Sequence, residues 1–158
     1  MNKAANTVLS ATAGTTLMTL FSYLVSVATK KNFSEPEHLG TMINRLSPGI
    51  SKKQAQLAGW GAHYAVGLLF ILAYRELWKT GKIKKTMVNG LILGALSGAL
   101  AVLVWKSTMK AHPAPPWIDF TKYYIQLVPA HIVFAVCATL ASRLLDEHSN
   151  PGGENITT

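Results

Sequence analysis

The sequence has few charged residues, and this scarcity argues against an ordinary soluble fold. Asp, Glu, Lys and Arg make up 14% of the 158 residues, whereas a typical soluble domain carries about 25%. Four long segments contain none of these residue types: 4–29, 54–74, 86–105 and 123–142. Each has the length of about 20 residues that a membrane-spanning helix needs. We therefore predict four membrane spans.

Cysteine and acidic residues are scarce as well. Cys137 is the one cysteine in the sequence, so an internal disulfide is excluded. The four apolar segments contain no Asp or Glu, and the sequence therefore offers no carboxylate within a span that could act as a general base. These absences favour a protein that is not an enzyme.

The net charge of +8 does not indicate a nucleic-acid partner, because no basic stripe alternates with aromatic residues on a soluble surface. Lys and Arg instead lie at the ends of the apolar segments, as in membrane proteins. The short 75–85 loop carries five of them. Short cytoplasmic loops are enriched in Lys and Arg, so we predict that both termini are cytoplasmic.

The predicted fold is all-α: an integral membrane four-helix up-and-down bundle with a short amphipathic interfacial helix between the first two spans. The membrane domain is assigned to residues 1–146, and residues 147–158 form a polar tail with the composition of a disordered segment. The predicted helices are spans at about 7–29, 52–80, 86–110 and 120–145, and an interfacial helix at about 35–46.

The interfacial helix is predicted from its start signal and its periodicity. Ser34 and Glu37 have the spacing of a capping box, and apolar residues then recur at helical spacing: Leu39, Met42, Ile43 and Leu46. Such a helix either lies on the membrane surface or covers one end of the bundle. Ser51 and Gln54 form a second capping-box spacing before the second span, and Asp119 is the expected N-cap of the fourth.

Small residues indicate where helices pack closely. Gly90, Gly94 and Gly98 lie on one stripe of the third span, the pattern of a glycine zipper, and small residues let membrane helices approach one another. The first span carries small and polar residues along one side, including Ser22, which we expect to face the bundle interior. Pro129 removes a backbone hydrogen bond from the fourth span and favours a kink there.

Two histidines lie within the predicted spans. His63 is in the second span and His131 in the fourth, both about 9–10 Å from the start of the apolar part of their helix, given a rise of 1.5 Å per residue. The same depth falls near Ser22 and Gly98. Ionisable residues inside a membrane usually face the bundle interior. The first interpretation is structural: each neutral imidazole hydrogen-bonds a carbonyl or hydroxyl and joins two helices.

The second interpretation is axial ligation of haem b by His63 and His131 from opposite faces of the macrocycle. Gly59 and Gly67 would then leave room for a flat ring. A Soret band that is lost on substitution of either histidine would identify this function.

The third interpretation is a metal or proton-relay site that adds His38, His112 and Asp119 from the loops. These ligands come from separate segments and lack a metal-type spacing.

Five short stretches together resemble a known group: "TLMTLFSY", "EPEHLG", "GWGAHYAVGLLF", "GLILGALSG" and "PAHIVFAV". They are similar to small four-helix bacterial membrane proteins of the YagU-like kind and their neighbours. This resemblance implies a bacterial inner-membrane protein of unassigned activity, in which His63 and His131 match histidines of the second and fourth helices. The resemblance implies no mechanism.

The sequence favours a non-enzymatic membrane protein, either an accessory or assembly subunit or a bundle that binds a small ligand. A haem-binding protein and a small transporter or proton-coupled channel are the alternatives. The expected partners are the lipid bilayer and either further copies of the chain or a larger membrane complex, with no nucleic acid.

Overall fold

The computed structural model describes residues 2–149, which form five helices and no strand. The helices are α1 Lys3–Thr29, α2 Glu35–Leu46, α3 Lys52–Lys79, α4 Met87–Ala111 and α5 Phe120–Ser149. Each except α2 is long and apolar enough to cross a membrane. The prediction of an all-α, multi-pass membrane bundle is confirmed.

The helix boundaries follow local signals in the sequence. The predicted capping box at Ser51 and Gln54 is present, with both reciprocal hydrogen bonds formed. Asp119 caps α5, because its Oδ1 accepts a hydrogen bond of 3.1 Å from the backbone N–H of Lys122. Gly81 follows the end of α3 with φ of +71°, a left-handed conformation that glycine adopts without steric cost.

The predicted capping box of α2 is wrong. Ser34 is the N-cap, but its side chain makes no capping hydrogen bond. The Glu37 carboxylate instead accepts a hydrogen bond of 2.7 Å from the Asn32 side chain. Asn32 also accepts a bond from the Ser34 backbone N–H, so the preceding loop holds this helix start. At the other end of the chain, α5 continues to Ser149, and the rest of the predicted tail lies outside the described residues.

The helices pack in a fixed order around the bundle. The most extensive packing joins α4 to α5, α5 to α1 and α2 to α3, and a smaller contact joins α1 to α3. Although α3 and α4 follow each other in the sequence, they do not pack along their length in the part of the chain that the structure describes. We call the end that holds residue 2 and the 80–86 loop side A, and the end that holds α2 and the 112–119 loop side B.

The stripe of glycines on α4 lies against the backbone of α5. A Cβ atom at Gly90, Gly94 or Gly98 would lie 3.1, 2.5 and 2.7 Å from the Cα atoms of Val136, Ile132 and Val128, respectively. Side chains would therefore force the two helices apart. Pro129 lies on the exposed face of α5, outside this contact, and α5 runs through it as one helix.

The α2 helix forms a lid over side B rather than lying flat on the membrane beside the bundle. The ring of His38 contacts Tyr123 of α5 edge-on, with centroids 5.1 Å apart. His112, in the loop after α4, lies 3.1 Å from the Met42 carbonyl. Of the two placements that the sequence left open, the lid is the one adopted.

Candidate functional site

A cavity of about 180 Å³ lies inside the side B half of the bundle, between α3 and α4. It exists because these two helices separate there while α1, α5 and the lid close the remaining sides. Its apolar lining comes from all five helices: Met18, Leu39, Phe70, Leu100, Trp105 and Phe134. Three ionisable side chains share the lining: Glu35, His63 and His131.

The cavity opens sideways between α3 and α4. Val66 of α3 and Leu100 and Val104 of α4 line the cavity, yet 46%, 51% and 55% of their surface is exposed on the outside of the bundle. Both helices are long and apolar enough to cross a membrane, and the surface that they expose at this opening is apolar.

The hydrogen bonds of His63 define which of its ring nitrogens is free. Nε2 lies 3.0 Å from the Thr19 hydroxyl, and this hydroxyl donates its proton to the Thr15 carbonyl at 2.8 Å. Both contacts are satisfied when His63 donates from Nε2. In the neutral ring, Nδ1 then carries a lone pair, and it has no hydrogen-bond partner among residues 2–149. His63 thus joins α3 to α1, as the structural interpretation expects.

His131 carries its proton on the other ring nitrogen, Nδ1. Its Nδ1 lies 2.8 Å from the carbonyl oxygen of Leu127 on its own helix, so Nδ1 carries the proton and Nε2 keeps the lone pair. Within the described chain, Nε2 has no partner. The ring packs edge-on against Phe70, with centroids 5.7 Å apart. The cavity wall therefore contains two imidazoles, each of which can accept one hydrogen bond.

Gly59 and Gly67 were predicted to leave room for a haem, but the space beside each of them is filled by protein. A Cβ at Gly59 would collide with the backbone of α2 at Pro36 and Gly40, and one at Gly67 would collide with the Thr15 hydroxyl. These glycines allow α2 and α1 to approach α3. They do not hold open a slot for a flat ring.

The residues consequently do not fit a haem. The cavity of about 180 Å³ resembles in size the engineered cavity of about 150 Å³ that holds benzene, far below the space that a tetrapyrrole needs. Nε2 of His63 is also occupied by Thr19.

The structure does not gather the loop residues into a metal site. His38 lies 3.1 Å from the Asn32 carbonyl, and burial lowers its pKa. His112 donates a hydrogen bond to the Met42 carbonyl and accepts one from the Ala114 backbone N–H.

Asp119 is also engaged elsewhere. It pairs with Lys31 at 2.5 Å, and this hydrogen bond lowers the pKa of Asp119. Within residues 2–149, no three His, Cys, Asp or Glu side chains form a metal-binding group.

A buried carboxyl forms a second part of the site. Glu35, in the first turn of α2, is 1% exposed. Its Oε1 accepts a hydrogen bond of 2.9 Å from Ser22 of α1, and the Ser22 hydroxyl accepts one of 2.7 Å from Gln126 of α5. Burial raises the pKa of Glu35 from 4.5 to about 7. This network, which we call the Glu35 cluster, fastens the lid to α1 and α5.

The Glu35 cluster contains buried polar atoms that lack a partner in the described chain: Glu35 Oε2, Gln126 Oε1 and Tyr123 Oη. Unpaired buried polar atoms are costly, and burial without a full set of partners raises the pKa of Glu35 by disfavouring its ionised form. Ser22, predicted to face the bundle interior, is fully buried, and its hydroxyl belongs to the Glu35 cluster.

Sequence reasoning missed Glu35 because it lies outside the four apolar segments and begins a polar stretch. The sequence did contain a signal. Glu35 precedes Leu39 by four residues and Met42 by seven, so it lies on the apolar face of α2. A carboxyl on the buried face of a lid helix lies next to the bundle interior.

Comparisons of the chain with family models, curated proteins and solved structures find no match.

Proposed function

We propose that this protein binds a small, mainly apolar molecule that it takes up from the lipid phase between α3 and α4. The observation that carries the proposal is the cavity of about 180 Å³ with three ionisable groups in its wall and exposed lining residues at its side. Small-molecule sites are typically apolar concavities with a few convergent polar groups, and they occur between the helices of bundles.

The size of the cavity indicates the scale of the ligand. Sites for drug-sized ligands measure about 300–1,000 Å³, and this one is smaller. A molecule with one ring, or the end of an acyl chain, matches the volume. The cavity therefore supports binding of a compact molecule rather than of a large cofactor.

The proposal also includes the membrane in which the protein resides and its orientation there. We assign it to the inner membrane of a bacterium, with both termini in the cytoplasm, on the strength of the five Lys and Arg residues in the 75–85 loop and the resemblance to YagU-like proteins. A role in a homo-oligomer or larger complex and a transport or channel activity stay predictions. The buried glycine contacts of α4 are made within the chain.

The test measures binding of 4-fluorotoluene by fluorine NMR to protein reconstituted in lipid nanodiscs, with empty nanodiscs as the baseline for partitioning. We expect saturable binding to the wild type. Ala101, which is 6% exposed and lines the cavity, is replaced to give Ala101→Leu, which fills the space and should weaken binding at least about tenfold, a loss of about 1.4 kcal/mol.

The matched control is Ala99→Leu on the exposed face of the same helix, which should bind like the wild type. Probe uptake that is equal in empty and protein-containing nanodiscs, or equal in the two leucine variants, would contradict the proposed function.

A further inference from the structure

We propose that the ligand of this cavity is an uncharged, ring-sized molecule that carries a hydroxyl or N–H donor, of the phenol class. The inference rests on the proposed function and specifies which molecule the site selects. It comes from the hydrogen bonds of the two imidazoles in the wall, which leave lone pairs rather than protons for a ligand. The other polar atoms of the lining that lack a partner in the described chain are the Thr15 hydroxyl and Glu35 Oε2, and a ligand hydroxyl can accept a hydrogen bond as well as donate one.

The donors of both imidazoles are already committed. His63 uses its Nε2 proton on Thr19, and His131 uses its Nδ1 proton on the Leu127 carbonyl. What remains on each neutral ring is an acceptor nitrogen without a partner in residues 2–149. A ligand with a hydroxyl satisfies one of them, whereas an ether or ketone of the same size brings a second acceptor and leaves the nitrogen unpaired. Leaving a buried polar group unpaired costs binding energy.

The other residues that line the cavity disfavour a charged ligand and favour an aromatic one. Among the residues that line the cavity, none is Lys or Arg, so an anion would lose its hydration without gaining a counter-ion. The rings of Phe70 and Phe134 lie 6.0 Å apart at 61°. Both line the cavity and offer an aromatic ligand edge and face contacts.

The position of the donor within the ligand also follows. The lateral opening is apolar, through Val66, Leu100 and Val104, whereas the histidines lie on α3 and α5 in the wall. A phenol entering from lipid therefore directs its hydroxyl toward His63 or His131 and its ring toward the opening. This orientation satisfies the donor and keeps the apolar part of the ring against Phe70.

The experiment compares three probes of nearly equal shape in nanodiscs by fluorine NMR: 4-fluorophenol, 4-fluorotoluene and 4-fluoroanisole. Each affinity is corrected for partitioning into empty nanodiscs. We expect the wild type to bind 4-fluorophenol about tenfold more tightly than 4-fluorotoluene, which corresponds to about 1.4 kcal/mol, and 4-fluoroanisole no more tightly than 4-fluorotoluene.

Two substitutions remove the acceptors one at a time. His131→Phe and His63→Phe keep an aromatic ring and delete the nitrogens, and at least one of them should abolish the preference for 4-fluorophenol over 4-fluorotoluene. Leu103→Phe, at a position 63% exposed on α4, is the control and should keep the full preference. Retained binding of 4-fluorotoluene also shows that a histidine variant is folded.

The outcomes separate the two proposals. Equal corrected affinities for the phenol and the toluene in the wild type, or a preference that survives both histidine substitutions, would overturn the donor inference and leave the binding function standing. Binding of none of the three probes would overturn the proposed function and the inference with it.

Discussion

The phenol oxygen of Tyr74 lies 2.5 Å from the hydroxyl of Ser97, a contact that joins α3 to α4 on the side A flank of the cavity. Ser97 donates in turn to the Leu93 carbonyl at 2.7 Å, so Tyr74 is the donor in the contact. Toward side B the same two helices separate. Tyr74 therefore limits how far the lateral opening extends along the bundle.

Replacing Tyr74 with Phe tests this role. The variant loses the buried hydroxyl that contacts Ser97 and, at 3.4 Å, the Leu93 carbonyl. We expect a loss of about 1 kcal/mol in the free energy of unfolding, because the contact with Ser97 is the main one and a buried hydrogen bond usually contributes about that much. Release of 4-fluorotoluene should also accelerate, because α3 and α4 separate more easily. Both quantities are measured in nanodiscs, with Tyr23→Phe as control because Tyr23 is 61% exposed. Unchanged stability and release would show that the contact does not restrain the helices.

The packing of α4 on α5 predicts a contrast between two glycines. Gly94→Ala places a Cβ 2.5 Å from the Cα of Ile132, whereas a Cβ at Gly61 meets no atom within 4 Å. We expect Gly94→Ala to destabilise the bundle by about 1–3 kcal/mol, as overpacking does, and Gly61→Ala to be neutral or stabilising because alanine favours helix. Thermal unfolding of both variants measures the difference. Equal effects would mean that α4 and α5 do not approach as closely as described.

Glu35 predicts a dependence of stability on pH. Its pKa is raised from 4.5 to about 7 by burial, so the folded chain holds the proton more tightly than the unfolded chain does. This contribution to stability is complete below 4.5 and is lost as the pH rises through about 7. The loss is on the order of 3 kcal/mol at most, from 1.36 kcal/mol per unit. The melting temperature should therefore fall across this interval.

The groups around Glu35 identify the variants for that measurement. Besides Ser22 and Gln126, which do not titrate, the neighbours of Glu35 are Tyr123 of α5 and the two histidines across the cavity. Glu35→Gln keeps an acceptor for Ser22 without a titrating group and should flatten the fall in melting temperature. Glu37→Gln, at an exposed position of the same helix, should retain it. A fall that persists in Glu35→Gln would assign the titration to another group.

Asp119 combines two contacts that substitution can separate. It caps α5 through the Lys122 backbone N–H and pairs with Lys31. Asparagine keeps the cap and loses the charge, whereas alanine loses both. We expect the melting temperature to fall more for Asp119→Ala than for Asp119→Asn, because exposed ion pairs contribute little and caps contribute more. Added salt should reduce the effect of Asp119→Asn. Equal falls would assign the contribution to the ion pair.

Much of the fold follows from the sequence because a membrane restricts the alternatives. A segment crossing lipid must satisfy its backbone hydrogen bonds internally, which leaves the helix as the structure for an apolar run of this length. The cap at Ser51 and the glycine at Gly81 then fix ends of α3 within a residue or two. The rise per residue also brings His63 and His131 to the same level, and both indeed line one cavity.

The remaining features depend on contacts between distant segments. α4 packs on α5 because its glycines allow the two backbones to approach closely. α3 packs on α1, where Thr15 fills the space beside Gly67. These two contacts, rather than chain order, decide that α3 and α4 do not pack together. Helical periodicity predicts that a residue faces the bundle interior, but it does not predict which residue of another helix it will contact. The Glu35 cluster likewise requires that α1, α5 and the lid meet, which no local pattern encodes.

The Glu35 cluster also has a consequence for the order of assembly. Ser22 emerges during synthesis just before Glu35, but Gln126 lies 104 residues beyond Ser22. Until α5 has inserted, the carboxyl has neither its full set of partners nor an enclosed site, and water keeps it ionised. We therefore expect the cluster to close only after α5 has inserted, although α2 already has α3 to pack on. A chain truncated before residue 120 would keep the contact between α2 and α3 but leave Ser22 and Glu35 without Gln126.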